Sequence, residues 1–122
     1  MIALWVALAG GAGAVARFVV DSAWRARQRP GAPPWGTLIV NVSGSLLLGL
    51  VAGLVLFAGT PAVWRTVLGT GFCGGYTTFS TTSFETVRLV QQGRYRMALV
   101  NAAGTLVLCV AAAAVGLVLA RA

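Results

Sequence analysis

Gly69-Thr-Gly-Phe-Cys-Gly-Gly-Tyr-Thr-Thr-Phe-Ser-Thr-Thr-Ser-Phe-Glu85 decides how the rest of the chain is read. The stretch lies inside a run otherwise apolar enough for a bilayer. Yet it holds the glycine pair Gly74–Gly75 and then hydroxyls at Thr77, Thr78, Ser80, Thr81, Thr82 and Ser83. Adjacent glycines weaken a helix, because they cost backbone entropy and expose the peptide groups. In lipid every freed carbonyl or N–H must find another partner. A helix broken here therefore needs a protein neighbour or an ion, and unwound carbonyls facing a cation are how broken membrane helices build ion sites. The plainer alternative is a glycine kink whose hydroxyls bond back to the preceding turn.

Composition decides the solvent. Of 122 residues, 58% are hydrophobic and 9% charged, and the mean hydropathy is +0.88. A soluble domain carries about a quarter charged residues, so too few polar side chains remain to cover a globule. The chain reads as an all-α membrane protein, and one span needs about 20 apolar residues. Four transmembrane helices fit, over residues 2–24, 36–59, 61–90 and 96–119, with the third broken near the bilayer midplane and no room for a soluble domain. Residues 1–122 form a single four-span subunit, placed as a multi-pass protein of the cell (inner) membrane.

The net charge of +7 comes from arginine alone. The arginines fall at span ends, the pattern of topology signals and lipid head-group contacts rather than of nucleic-acid binding. Cys73 and Cys109 sit in apolar segments as packing residues, and with no histidine in the chain neither zinc nor redox chemistry is expected. Asp21 and Glu85 are the only acids, too little for carboxylate catalysis, so the chain does not read as an enzyme.

Within the first span, Arg17 is a charge in an apolar stretch. It either pairs with Asp21 one turn on or snorkels to the interface. The first loop, from Arg25 to Pro34, is basic and proline-rich and cannot be helical throughout; Trp35 then marks an interface. In the second span Thr37, Asn41, Ser45 and Gly49 recur at intervals of four, a small polar stripe on a greasy helix. Asn41 is the foremost candidate there. A membrane amide must be hydrogen-bonded, either as interhelical glue or as a donor to an anion. In the third span Glu85 can pair with Arg88. In the fourth, Asn101, Thr105 and Cys109 repeat the four-residue polar face.

Polar stripes cannot face lipid, so the chain is expected to oligomerise and bury them between subunits. Their neutral donors suit a small dehydrated anion or a polar solute better than a cation, and aromatic edges such as that of Phe79 add weak positive potential. With four spans, Arg25, Arg27, Arg29, Arg88, Arg94 and Arg96 share one side, against Arg65 and Arg121 on the other. That bias predicts cytoplasmic basic loops and external termini.

Three segments, Gly10-Gly-Ala-Gly-Ala-Val-Ala-Arg-Phe18, Gly36-Thr-Leu-Ile-Val-Asn41 with Gly44, and Gly71-Phe-Cys-Gly-Gly-Tyr-Thr-Thr-Phe-Ser80, resemble the CrcB/Fluc family of fluoride channels over nearly the whole chain. The resemblance implies an antiparallel dimer with two narrow pores that passively exports fluoride and so relieves its toxicity. It implies that the backbone carbonyls of Gly74 and Thr77 hold a structural sodium between subunits. Asn41 matches the pore asparagine, Phe79 the first phenylalanine of an aromatic box, and Ser80 and Thr81 a hydroxyl track beside it. Arg17 and Asn101 match vestibule or structural positions.

One position departs from the pattern. Where the family has a second box phenylalanine, this chain has Thr82, and Phe84 is two residues too late to face the same way on a helix. Together with the arginine bias, this suggests one half of a paired heterodimer whose partner is an oppositely inserted homologue, with pairing to a second copy as the alternative. The competing class is a small multidrug transporter, also four short spans and dimeric, which would need a membrane-embedded carboxylate in its first span.

Overall fold

The computed structural model describes residues 1–30 and 35–121, and every regular element within them is helical. We number the elements α1 (Ile2–Arg25), α2 (Trp35–Phe57), α3 (residues 62–76), α4 (Phe79–Gln91) and α5 (Tyr95–Arg121). Among the described residues, α1, α2 and α5 are each long and apolar enough to cross a membrane. The proline-rich end of the first loop, residues 31–34, lies outside the described residues.

The third segment is composite. It opens as one α-turn at Ala62–Trp64, widens into π-helical turns over Arg65–Cys73 and tightens again at Gly74–Tyr76. π-turns close hydrogen bonds one residue farther along than α-turns and gather at functional sites. Thr77 (φ −81°, ψ 159°) and Thr78 (φ −148°, ψ 118°) are then extended, and α4 starts at Phe79.

The interruption therefore falls two residues beyond the glycine pair on which sequence reasoning placed it. Gly74 and Gly75 stay helical. A Cβ on Gly75 would collide with the Gly10 carbonyl of α1, so its lack of a side chain serves close approach of two backbones rather than unwinding. The chain unwinds instead where hydroxyls compete for the backbone. The Thr77 N–H and Oγ1 both donate to the Cys73 carbonyl, at 2.8 and 2.7 Å, closing off the old helix. Thr78 Oγ1 accepts the Thr81 N–H at 3.2 Å and caps the new one.

A second close seam joins α2 to α5, where a Cβ on Gly49 would strike the Ala113 carbonyl. Large apolar side chains, by contrast, mostly point outward: Leu4, Phe18, Leu99 and Leu106 are among the exposed ones. Val40 is the largest side chain buried completely, and Thr37, Asn41, Thr78 and Thr82 lie in the interior beside it. Val51, Tyr76 and Leu89 are buried as well, and keeping the polar groups inside spares them from lipid.

Neither of the two ion pairs that spacing allows is formed. Asp21 pairs with Arg25 at 3.1 Å rather than with Arg17, which is half-buried without an acidic partner among the described residues. Glu85 does not pair with Arg88 either. It turns inward toward Thr37 at the start of α2, with Oε1 buried.

Candidate functional site: a cleft at the helix interruption

The interruption opens onto a cleft of about 670 Å³ between α2, α3, α4 and α5. Asn41 and Ser45 line it from α2, Gly74 from α3, Phe79 and Thr82 from α4, and Thr105 and Cys109 from α5, with the unwound Thr77 and Thr78 completing the wall. Part of each polar stripe read from the sequence thus meets here, Asn41 and Ser45 from one and Thr105 and Cys109 from the other.

Asn41 organises it. Its Oδ1 accepts the Thr78 N–H at 2.8 Å, while Nδ2 donates to the Thr78 carbonyl at 3.0 Å and to Thr82 Oγ1 at 2.8 Å. A side-chain amide here does what a neighbouring β-strand would do, pairing both polar groups of one extended residue. Buried backbone groups need such partners, and Asn41 is itself only 6% exposed. Thr82 Oγ1 donates in turn to the Thr78 carbonyl at 3.1 Å. The network continues along α4: Thr86 Oγ1 donates to the Thr82 carbonyl at 2.8 Å and accepts from Asn101 Nδ2 at 2.9 Å. Asn101 therefore reaches the site through Thr86 and is not part of the cleft lining.

The carbonyls of Gly74 and Thr77 lose their helical donors by the same geometry. In a continuous helix Gly74 would receive the Thr78 N–H, which goes instead to Asn41. Thr77 would receive the Thr81 N–H, which goes instead to Thr78 Oγ1. Both residues line the cleft, and nothing lies within 4 Å of where a Gly74 Cβ would stand. Two peptide oxygens freed of their intrahelical bonds are a donor set that fits a hard monovalent cation, which takes oxygen ligands.

Phe79 is 86% exposed at the cleft edge, ring uncovered. Ser80 and Thr81 are not in the cleft lining. Their hydroxyls cluster on Thr78 Oγ1, at 3.3 and 3.1 Å, in the first turn of α4. Arg17 is also not part of the lining. Thr105 Oγ1 is buried without a partner in the cleft wall. Thr78, legible in the sequence only as one of a run of hydroxyls, is the most connected residue of the site, and a Ser43–Tyr76 hydroxyl contact at 2.9 Å with no sequence signal ties α2 to the end of α3. The signal for Thr78 was present: a hydroxyl residue just ahead of a helix is a start signal.

Because Thr78 is both cap and bridge, Thr78→Val is expected to destabilise the subunit by about 1–2 kcal/mol, the usual cost of losing a cap. Thermal unfolding in detergent, with Thr86→Val as the comparison, measures it.

Long apolar helices around a cleft that carries an asparagine and several hydroxyl groups define a small multi-pass membrane protein. The profile of the family described as "CrcB-like protein, Camphor Resistance (CrcB)" matches residues 4–117, and the chain belongs to that family. It is 54% identical over 117 residues to the "Fluoride-specific ion channel FluC 1" of Leifsonia xyli subsp. xyli, covering 96% of this chain and 85% of the relative. It is 49% identical to the "Fluoride-specific ion channel FluC 2" of Cutibacterium acnes (98% and 97% covered) and 44% identical to the "Fluoride-specific ion channel FluC 1" of Frankia casuarinae (97% and 96%).

Proposed function

We propose that the chain is a subunit of a fluoride-specific channel through which fluoride leaves the cytoplasm passively. It is a channel rather than an enzyme, as its relatives are named, and the polar groups its site offers are neutral asparagine and hydroxyl groups. The observation that carries the reading is the bridge from Asn41 to the extended Thr78. It keeps the third segment open and turns polar groups into a cleft that a continuous helix would close.

The third segment, residues 62–91, completes the four crossings together with its gap, which lies near the midplane. Fluoride is small and strongly hydrated, so a path must replace its water with hydrogen-bond donors. Within one subunit both Asn41 N–H groups are occupied, one by the Thr78 carbonyl and one by Thr82 Oγ1. An anion beside Asn41 takes the second, releasing Thr82, while the Thr78 pair keeps the backbone in place. Phe79 presents its positive ring edge, and the Ser80 and Thr81 hydroxyls continue the track. Larger halides are excluded by width and by poorer matching to strong donors.

A single subunit leaves one side of the cleft and the Phe79 ring uncovered, which supports assembly as an antiparallel dimer. The Gly74 and Thr77 carbonyls would hold a structural sodium at its centre, supplying positive charge and locking the interruption. Thr82 in place of a second aromatic ring, with the one-sided arginines, supports a partner that is an oppositely inserted homologue as well as a second copy. The multidrug-transporter reading loses its key residue, because Asp21 sits in the last turns of α1 already neutralised by Arg25.

The test is the purified chain in liposomes loaded with fluoride and read with a fluoride electrode, alone and with a co-expressed family member. Fluoride efflux without chloride efflux or drug transport supports the channel, and efflux from the chain alone identifies a homodimer. Silence in both preparations contradicts the reading.

A further inference from the structure

Five arginines at one end of the bundle have no counter-charge among the described residues. The ends of α1 and α4 and the starts of α2 and α5 meet there. Asp21 of α1 lies against Gly36 of α2, Glu85 of α4 faces Thr37, and α4 connects to α5 through a tight turn with Gly93 at φ +74°. Asp21 and Glu85 are the chain's only acids, and both are committed inside this end. Asp21 is bound to Arg25, and Glu85 points into the helix packing. Arg27, Arg29, Arg88, Arg94 and Arg96 form no ion pair among the described residues, and all but the half-buried Arg94 are exposed. Around them stand Trp24, Trp35 and Tyr95, exposed by 40, 39 and 68%.

We infer that this arginine collar binds the phosphate groups of anionic phospholipids, so that the missing counter-charges are lipid head groups. Guanidinium is the side chain best matched to phosphate, because its planar fork offers paired donors. The flanking aromatics are of the kind that sit at head-group depth. Below them the exposed apolar surfaces of α1 and α5, with Phe18 and Leu99, offer a bed for acyl chains that a free phosphate ion could not use. The opposite end has only Arg65 and Arg121 in its place. The inference does not depend on which ion the cleft conducts.

Native mass spectrometry of the full chain, purified with defined lipids, tests it. Phosphatidylglycerol should be retained about tenfold more than phosphatidylcholine, and the preference should fall with added salt. Inorganic phosphate should not displace it. Arg27→Gln/Arg29→Gln/Arg94→Gln/Arg96→Gln should lose the preference, and the same four changed to Lys should recover part of it. Arg65→Gln/Arg121→Gln should keep it. Equal retention of the two lipids by the wild-type chain, displacement by free phosphate, or equal loss in the Arg65/Arg121 variant would overturn the inference.

Discussion

Asn41→Asp is expected to leave no fluoride efflux above that of empty liposomes. The carboxylate keeps an acceptor for the Thr78 N–H but loses both donors. One oxygen is then set against the Thr78 carbonyl, where Nδ2 stands at 3.0 Å in the native site. An unsatisfied buried group costs about 1–3 kcal/mol, and more when charged. A fixed negative charge beside the path also repels an anion. Asn41→Leu separates the two effects, since it removes the amide without adding charge. Both variants should be silent, with the Leu variant also losing thermal stability. Wild-type efflux from a folded Asn41→Asp protein would remove Asn41 from the function.

Gly75→Ala should yield little folded protein, whereas its neighbour Gly74→Ala should fold. The new methyl at Gly75 would sit 2.8 Å from the Gly10 carbonyl carbon, and backbone cannot move aside as a side chain can. Overpacking of this kind costs about 1–3 kcal/mol or more, a large part of a small domain's stability. At Gly74 nothing within the subunit lies within 4 Å. Its methyl would project into the cleft, so the loss there should be of assembly and efflux while the subunit stays intact. Size-exclusion chromatography and thermal unfolding of the two variants distinguish these outcomes. Equal behaviour of the two would show that the glycine pair does not have two separate jobs.

The course of the chain was legible because hydropathy and charge fix it: long apolar runs end at arginines, prolines and tryptophans. Asn41 was legible because a four-residue polar stripe can only face inward in lipid. The place of the interruption was not. Glycine weakens a helix wherever it stands, but in this chain Gly75 is fixed by the α1 backbone against it, which no local rule reveals. The run of hydroxyls from Thr77 to Ser83 hid the one that caps, since each competes for the backbone in the same way. Arg25 was the better local partner for Asp21 than Arg17, for which pairing was one of two open readings. An acid four residues ahead of its base is the better order, and a base in the last turn also meets the negative end of the helix dipole. The π-helical turns of Arg65–Cys73 have no sequence signature that we can identify.

The seams formed by Gly10, Gly49 and Gly75, beside an interior whose largest fully buried side chain is Val40, invert the usual relation between residue size and tolerance to replacement. Substitution records for soluble proteins are strictest at bulky aliphatic and aromatic sites. In this chain the strictest sites should be those with the least to remove, while Leu, Val and Phe on the outer faces drift freely among apolar types. Variation among relatives would then understate the importance of the big residues' neighbours unless it is weighed by the room each position leaves.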